Sequence, residues 1–234
     1  MTLLTACQNA AVLLLGRKPD TIFSSTDVFS LEMQVLANEV ACDIARSHDW
    51  QALVRTHSIM PDGVATTFPL PTDYGRMLLD SEIYNQTNWA WGYTHVTRAD
   101  DWLRMKVQDF TVIVPSAWTM QGDQFEFLPA PSSSATAKFV YITKNIIKSE
   151  TNQAKANFTD DEDKFALSER LLTLGLVWRW RELKRLEAST DQANFEKAFA
   201  EIAARDGGSK IIRKGGRPIY GDFRIAWPWP LGGV

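Results

Sequence analysis

Apolar residues recur every three or four positions near the start of the chain, a pattern that predicts two helices. The first is predicted over 2–15, with a threonine hydroxyl as its cap and Gly16 as its stop. The second starts near Asp27 or Ser30 and runs to about His48. The residues expected to face the core are Leu4, Ala11, Leu14 and Leu15 in the first helix, Leu36, Val40 and Ile44 in the second, and Trp50 just past its end.

Between Trp50 and about Asn145 the pattern changes to alternation of apolar and polar residues with frequent turn residues, which predicts strands. The stretches 54–59 and 64–70 flank a Pro-Asp-Gly turn, and we expect them to pair as a β-hairpin. A small sheet or sandwich of roughly five to seven strands follows. The other predicted elements are strands over 110–114, 124–128 and 137–143, strand and loop over 80–93, and a short helix from Thr97 to about Lys106 that carries Trp102 and Leu103 inward.

Helical periodicity returns in the last third of the chain, after four consecutive acidic residues at 160–163. Acidic side chains are favoured at a helix start because the free N–H groups and the macrodipole put positive potential there. We therefore expect a long helix to follow this acidic run directly. A final helix is predicted from Asp191 to Arg205, with Gly207 as its stop. The apolar positions are Leu167, Leu171, Leu174, Val177 and Trp178 in the long helix and Phe195, Phe199 and Ile202 in the final one.

These elements predict an α+β fold, with a helical bundle of about four helices, an inserted small antiparallel β domain and an extended C-terminal arm. Because the β region lies between two helix pairs, the helices must close on one another across it. The predicted boundaries are 1–49 for the N-terminal helix pair, 50–148 for the β domain with its short helix, 155–206 for the C-terminal helix pair and 207–234 for the arm.

The arm carries apolar and aromatic side chains that it cannot bury against itself. Pro218, Pro228 and Pro230 exclude a helix there, and paired glycines interrupt the rest. We interpret it as a segment that orders on a partner; the alternative is a terminal strand that docks on its own domain. The candidate binding residues are Lys210, Ile211, Ile212, Arg213, Lys214, Arg217, Tyr220, Phe223, Arg224, Trp227 and Trp229.

Charge separates the arm from the rest of the chain. The whole chain has a formal net charge of −3, with 45% hydrophobic and 23% charged residues, a balance typical of a globular protein rather than of one that coats nucleic acid. Five basic residues against one acidic residue give the arm a charge of +4, which leaves −7 on residues 1–206. Opposite charge on arm and body favours self-assembly in which each arm lies on a neighbour.

Residue patterns for catalysis or metal binding are weak. The histidines at 48, 57 and 95 are scattered, and Cys7 and Cys42 have no metal-binding spacing, so we expect reduced core thiols and no metal or cofactor. The acidic run 160–163 lacks the alternating ligands and the glycine of a calcium loop. No apolar run approaches the ~18 residues of a membrane span, and we expect no secretory signal. A non-enzymatic protein is favoured.

Tryptophan is abundant, with nine residues in the chain. Those at 89, 91, 102 and 118 lie in the β region, where indole rings could stack on sugars or on nucleic-acid bases. Burial in a small core or in a subunit interface is the commoner use of such residues. If the tryptophans stack on sugars, the protein has an alternative function as a cell-wall or carbohydrate hydrolase. A third possible function, suggested by the basic arm, is nucleic-acid binding, with an affinity that would fall steeply as the salt concentration rises.

Three strand-and-proline segments carry a family resemblance: 68–78 (FPLPTDYGRML), 122–131 (GDQFEFLPAP) and 139–145 (FVYITKN). Together with the opening helix pair that ends at Trp50 and the closing helix over 171–180, they resemble the head-to-tail adaptor proteins of short-tailed bacteriophages and related prophages, also called tail tubular or connector ring proteins. The resemblance covers most of the chain. It implies helical bundles with a β domain and no catalytic residue.

The resemblance also implies a place in the virion, at the head–tail junction, with assembly in the host cytoplasm. Such proteins form a ring of themselves, typically of twelve subunits, beneath the portal protein and above a tail or nozzle protein, and DNA passes transiently through the lumen. Their extended C-terminal segment commonly reaches the portal or the next subunit, the role that the arm suggests by itself. On the tail side we expect Trp89, Trp91 and Trp118 to contribute to the interface.

Overall fold

The structure is a computed structural model that describes residues 2–78, 81–85, 93–108, 117–133 and 136–207. These residues form two compact units, a helical unit of 2–54 and 142–207 and a β unit of 55–141. The fold class is α+β, as the sequence predicts. The helices of the described residues are α1 (Leu3–Leu15), α2 (Val28–Arg46), α3 (Ala99–Gln108), α4 (Glu169–Leu183) and α5 (Ser189–Asp206).

In the helical unit α4 packs against α1, α2 and α5. The predicted signals at the ends of α1 are confirmed: the Thr2 hydroxyl accepts a hydrogen bond from the Thr5 N–H at 3.4 Å, and Gly16 adopts the left-handed conformation at φ 68°. Asp27 precedes α2 as its N-terminal cap residue. Trp50 is buried, as predicted, and its indole N–H donates to the Ile44 carbonyl at 2.7 Å.

The buried face of α1 differs from the predicted one. Leu15 is exposed and Leu4 is half-buried, whereas the buried side chains are mostly small. Small side chains let two helix backbones approach closely, so the alanine-rich face of α1 packs on α4 while its larger residues turn away. The buried residues of α1 are Leu3, Ala6, Cys7, Ala10 and Ala11.

Gly175 permits close packing at the centre of the bundle. A methyl group added there would overlap the Val40 side chain of α2 and touch the Phe195 ring of α5. Changing Gly175 to alanine is therefore expected to lower the free energy of unfolding by about 2 kcal/mol, since overpacking outweighs the gain in helix propensity. Gly207→Ala is the matched control, because nothing lies within 4 Å of its added methyl group. Urea unfolding of both variants tests this, and equal stabilities would contradict it.

The prediction that the acidic run starts a helix is wrong. Residues 160–163 form a turn, and α4 begins only at Glu169, after Ser168 as its cap residue. The run instead supplies hydrogen-bond acceptors to other segments. The backbone carbonyls of Asp163 and Asp161 accept from the N–H groups of Leu3 and Leu4 at 2.7 and 3.1 Å, which satisfies the free donors at the start of α1.

The strands of the described residues form three small sheets. One has the order β1-β8-β3, with β4 also paired to β8; a second has the order β2-β7-β6-β5, antiparallel except for the parallel pair of β5 and β6; the third is β10-β9-β11. The strands are β1 (Val54–Ile59), β2 (Thr67–Pro69), β3 (Tyr74–Met77), β4 (Tyr84–Asn85), β5 (Thr94–His95), β6 (Ala117–Gln121), β7 (Gln124–Leu128), β8 (Ala137–Thr143), β9 (Ile147–Lys148), β10 (Ala154–Lys155) and β11 (Lys164–Phe165).

The predicted hairpin of 54–59 with 64–70 is wrong. β1 pairs with β8 and β2 pairs with β7. The Asp62 carboxylate accepts from the N–H groups of Val64 and Ala65 at 2.9 and 2.7 Å and closes a local turn between the two strands. β6 was not predicted. It forms a tight hairpin with β7 through Gly122 and Asp123, both at positive φ.

Aromatic side chains fill the core of the β unit. Phe125 and Phe139 lie at its centre with ring centroids 4.6 Å apart, and Trp118 contacts Phe125 at 5.7 Å. The helix α3 turns Trp102 inward, as predicted, where the indole N–H donates to Glu126 of β7 at 2.8 Å. Leu103, which was also predicted to face inward, is exposed. The strand predicted over 110–114 lies outside the described residues.

Candidate assembly surface

The binding residues predicted from the sequence fall in two groups. The arm residues from Lys210 to Trp229, and Trp89 and Trp91, lie outside the described residues. Trp118 is completely buried in the core of the β unit. Its side chain therefore packs within the subunit and offers no surface to a tail protein, because the strand pairing of β6 with β7 turns it toward the other aromatic rings.

An exposed apolar stripe runs along α2. Val28, Leu31 and Val35 are 64, 49 and 68% exposed, respectively. Their spacing of three and four positions puts them on one helix face, which we call the α2 stripe. Single exposed apolar residues are common, but three large ones aligned over two turns are typical of a surface that another protein covers.

Contacts on the buried face of α2 and along the two sides of the stripe fix the direction in which the stripe points. Phe29 is buried and meets the Trp180 ring of α4 edge-on at 5.8 Å between centroids. The Glu32 carboxylate accepts from the Trp180 indole N–H at 2.9 Å and pairs with Lys184. Asn38 accepts from the Phe158 N–H at 2.7 Å. With one face held by apolar and polar contacts, α2 cannot rotate to hide the stripe without losing its packing on α4.

A second surface is an apolar groove between α2, α4 and α5, of about 180 Å³. Val40 and Ile44 of α2 form its floor, and Trp178, Phe195 and Phe199 form its walls. The Trp178 and Phe195 ring centroids lie 5.3 Å apart. We call this the aromatic groove. Its walls are only half-buried, so several aromatic faces remain accessible to another molecule.

Charged groups order one rim of the aromatic groove. The Arg179 guanidinium lies 4.7 Å from the centroid of the Trp178 ring and donates to Asp43 at 2.9 Å and to Glu182 at 3.2 Å. Burial lowers the pKa of Arg179, but the hydrogen bonds to Asp43 and Glu182 outweigh burial, and the net pKa lies above its ordinary value. The cation therefore stays on the tryptophan face and leaves part of the half-exposed Asp43 carboxylate toward solvent.

The β unit has an exposed apolar pair of its own. Met60 and Val64 are 82 and 81% exposed at the two ends of the turn that Asp62 closes. Backbone hydrogen bonds from Ala65 and Val64 lower the pKa of Asp62, so the carboxylate stays ionised and the turn stays closed at ordinary pH. The turn thus holds two large apolar side chains in fixed positions at the surface.

A catalytic or metal-binding site would need titratable side chains that lie close together. Across the described ranges, no three His, Cys, Asp or Glu side chains come together as a metal ion would require. The His48 imidazole lies 3.6 Å from the Asp206 carboxylate and meets the Trp50 ring edge-on. No helix in the described part of the chain is long and apolar enough to cross a membrane.

Exposed apolar surfaces such as these are typical of a protein that works by contact with other proteins. The model of the SU10 adaptor protein family matches residues 1–216, and the chain belongs to that family. It is a bacteriophage adaptor, a structural component of the virion that interacts with other head or tail proteins. The resemblance drawn from the strand-and-proline segments is confirmed. A comparison with individually curated proteins gives no match.

Proposed function

We propose that this adaptor assembles with copies of itself into a closed ring that joins the portal protein to the tail and lets DNA pass. Twelve subunits are expected, as in the proteins that the sequence resembles. The observation that carries the proposal is the α2 stripe on a chain of the adaptor family, since a ring subunit needs a surface that a neighbour covers. No catalytic step and no cofactor belong to this role.

The arm supplies the second contact in this proposal. Residues 210–229 carry all five of its basic residues and all four of its aromatic ones, and they engage the portal protein or a neighbouring subunit. The remainder of the chain has a charge of −7, which repels the DNA phosphates in the lumen and attracts the basic arm. Trp89 and Trp91 remain candidates for the contact with the tail or nozzle protein. The ring would assemble in the host cytoplasm and stay at the head–tail junction.

A single charge in the α2 stripe tests the ring interface. Leu31→Asp is expected to weaken self-association by at least about tenfold, because a carboxylate would be buried without a partner. The free energy of unfolding of the subunit should change by less than about 0.5 kcal/mol, since Leu31 is half-exposed. Sedimentation equilibrium, alone and with the portal protein, gives the first quantity, and urea unfolding gives the second.

Gln153→Glu is the control for this variant. Gln153 is exposed in the connection between β9 and β10, outside α2, and the substitution lowers the net charge by one unit, as Leu31→Asp does. It should assemble as the unchanged protein does. Self-association of Leu31→Asp equal to that of Gln153→Glu would show that the stripe is not the interface.

A further inference from the structure

We propose that the aromatic groove of each helical unit receives the Trp227–Pro230 segment of a second copy of the chain. The inference rests on the proposed self-assembly and names the receptor that the arm would use. It assigns a ligand-binding role to α2, α4 and α5 that neither the α2 stripe nor the portal contact requires. Both the groove and the arm then belong to one interaction, repeated between neighbouring subunits.

The volume of the groove suits one aromatic side chain. Its 180 Å³ compares with the roughly 150 Å³ of an apolar protein cavity that holds a benzene molecule. The floor is aliphatic and buried, and the walls present the half-exposed faces of Trp178, Phe195 and Phe199. An indole ring entering this space would stack against aromatic faces that now meet water.

The arm has the sequence chemistry that such a groove selects. Trp227-Pro-Trp229-Pro alternates an aromatic residue with a proline, and proline-rich segments dock in aromatic-lined grooves because their extended conformation loses little entropy on binding. An incoming indole N–H needs an acceptor, which the exposed part of Asp43 at the rim can supply. The charge of +4 on the arm against −7 on the remainder favours the approach.

Chain length lets the segment reach a second copy. Phe199 lies seven residues before the end of α5 at Asp206, about 10 Å along the helix. Trp227 lies twenty residues beyond Gly207, and that many residues span up to about 70 Å when extended. A unit of roughly 120 residues has a radius of gyration of about 14 Å, so the groove of an adjacent copy is within reach.

Disulfide trapping between two differently labelled full-length chains tests the proposal. Both carry Cys42→Ser, and Cys7 stays, because burial raises its pKa to about 12 and leaves it unreactive. One chain carries Ser47→Cys at the groove rim, and the other carries Leu231→Cys beside Pro230. The two are mixed in equal amounts, assembled on the portal protein and oxidised mildly. The result expected is a disulfide-linked dimer.

The matched control replaces Ser47→Cys by Glu150→Cys, at an exposed turn of the same helical unit. The dimer yield with Ser47→Cys should exceed that of the control by about tenfold, and adding Trp227→Ala and Trp229→Ala to the arm should bring it down to the control. Equal yields at both positions would overturn the groove assignment. A chain carrying Ser47→Cys and Leu231→Cys together that links only within itself would overturn the second copy.

The state of the assembly distinguishes this inference from the function on which it rests. Rings that form on the portal without the groove cross-link would contradict the groove alone and leave the adaptor ring intact. A chain that forms no ring and does not bind the portal would overturn the proposed function and this inference with it. Native mass spectrometry of the same samples before oxidation separates the two results.

Discussion

Asp163→Ala is expected to lower the free energy of unfolding by about 3 kcal/mol, the cost of removing one partner from a buried ion pair. Its carboxylate is fully buried and accepts from Lys155 Nζ at 2.8 and 2.9 Å and from the Thr159 N–H at 2.8 Å. The Asp160 N–H, at 3.1 Å, is a further donor. All of these would lose their acceptor, and the turn that caps α1 would loosen. Urea unfolding at neutral pH measures the loss.

The same carboxylate predicts acid sensitivity. Burial raises the pKa of Asp163, but the hydrogen bonds from Lys155 and from the Thr159 N–H outweigh burial and hold it below its ordinary value. A lowered pKa contributes stability above the unfolded value of about 3.9, and this contribution is lost as the pH falls through the folded value. The gap between the unchanged protein and Asp163→Asn should therefore be largest at neutral pH and shrink below about pH 4.

Asp160→Ala is the control within the same turn. Asp160 is exposed, and within the described residues its carboxylate makes only a 3.4 Å contact with the Glu162 N–H, so a change below about 0.5 kcal/mol is expected. If Asp160→Ala and Asp163→Ala lose the same stability, the buried pair is not what holds the turn.

Deleting residues 209–234 is expected to abolish assembly on the portal protein while leaving both units folded. The deletion removes every aromatic and basic residue of the arm, together with its charge of +4. The bundle keeps its contacts because α5 ends at Asp206. Deleting only 231–234 is the control, since those residues are neither aromatic nor basic. Circular dichroism checks the fold, and electron microscopy of portal rings shows whether the truncated chain still decorates them.

Features that depend on near neighbours were predictable from the sequence. The cap at Thr2 and the stop at Gly16 follow from the residues at the ends of α1. The start of α2 after Asp27 was also predicted, although the Asp27 carboxylate makes no capping hydrogen bond and pairs with Arg17. Strand pairing was not predictable, because β1 pairs with β8 some eighty residues later, and the local sequence of a strand does not indicate its pairing partner. The helix start predicted at the acidic run was wrong for a related reason. The Asp161 carboxylate accepts hydrogen bonds from the N–H groups of Ile22 and Phe23, which are distant in the chain.

The candidate surfaces likewise divide into one that the sequence shows by itself and two that become visible only in the fold. Composition alone singled out the arm, because prolines and aromatic residues are visible without a fold. The α2 stripe is present in the sequence, but α2 has apolar residues on two faces, and only its packing on α4 shows that Phe29 is buried and Val28 is exposed. The aromatic groove combines residues near 40, 178 and 195, so it exists only once three helices have packed.

The central claim is that this adaptor closes into a ring on the portal, and native mass spectrometry tests it most directly. The mass of the purified chain is measured alone and after mixing with the portal protein of the same phage. The account predicts a single complex whose mass corresponds to the portal plus a fixed set of adaptor copies, twelve if the expected stoichiometry holds. A chain that keeps its own mass with the portal present, at concentrations where both are folded, would contradict it.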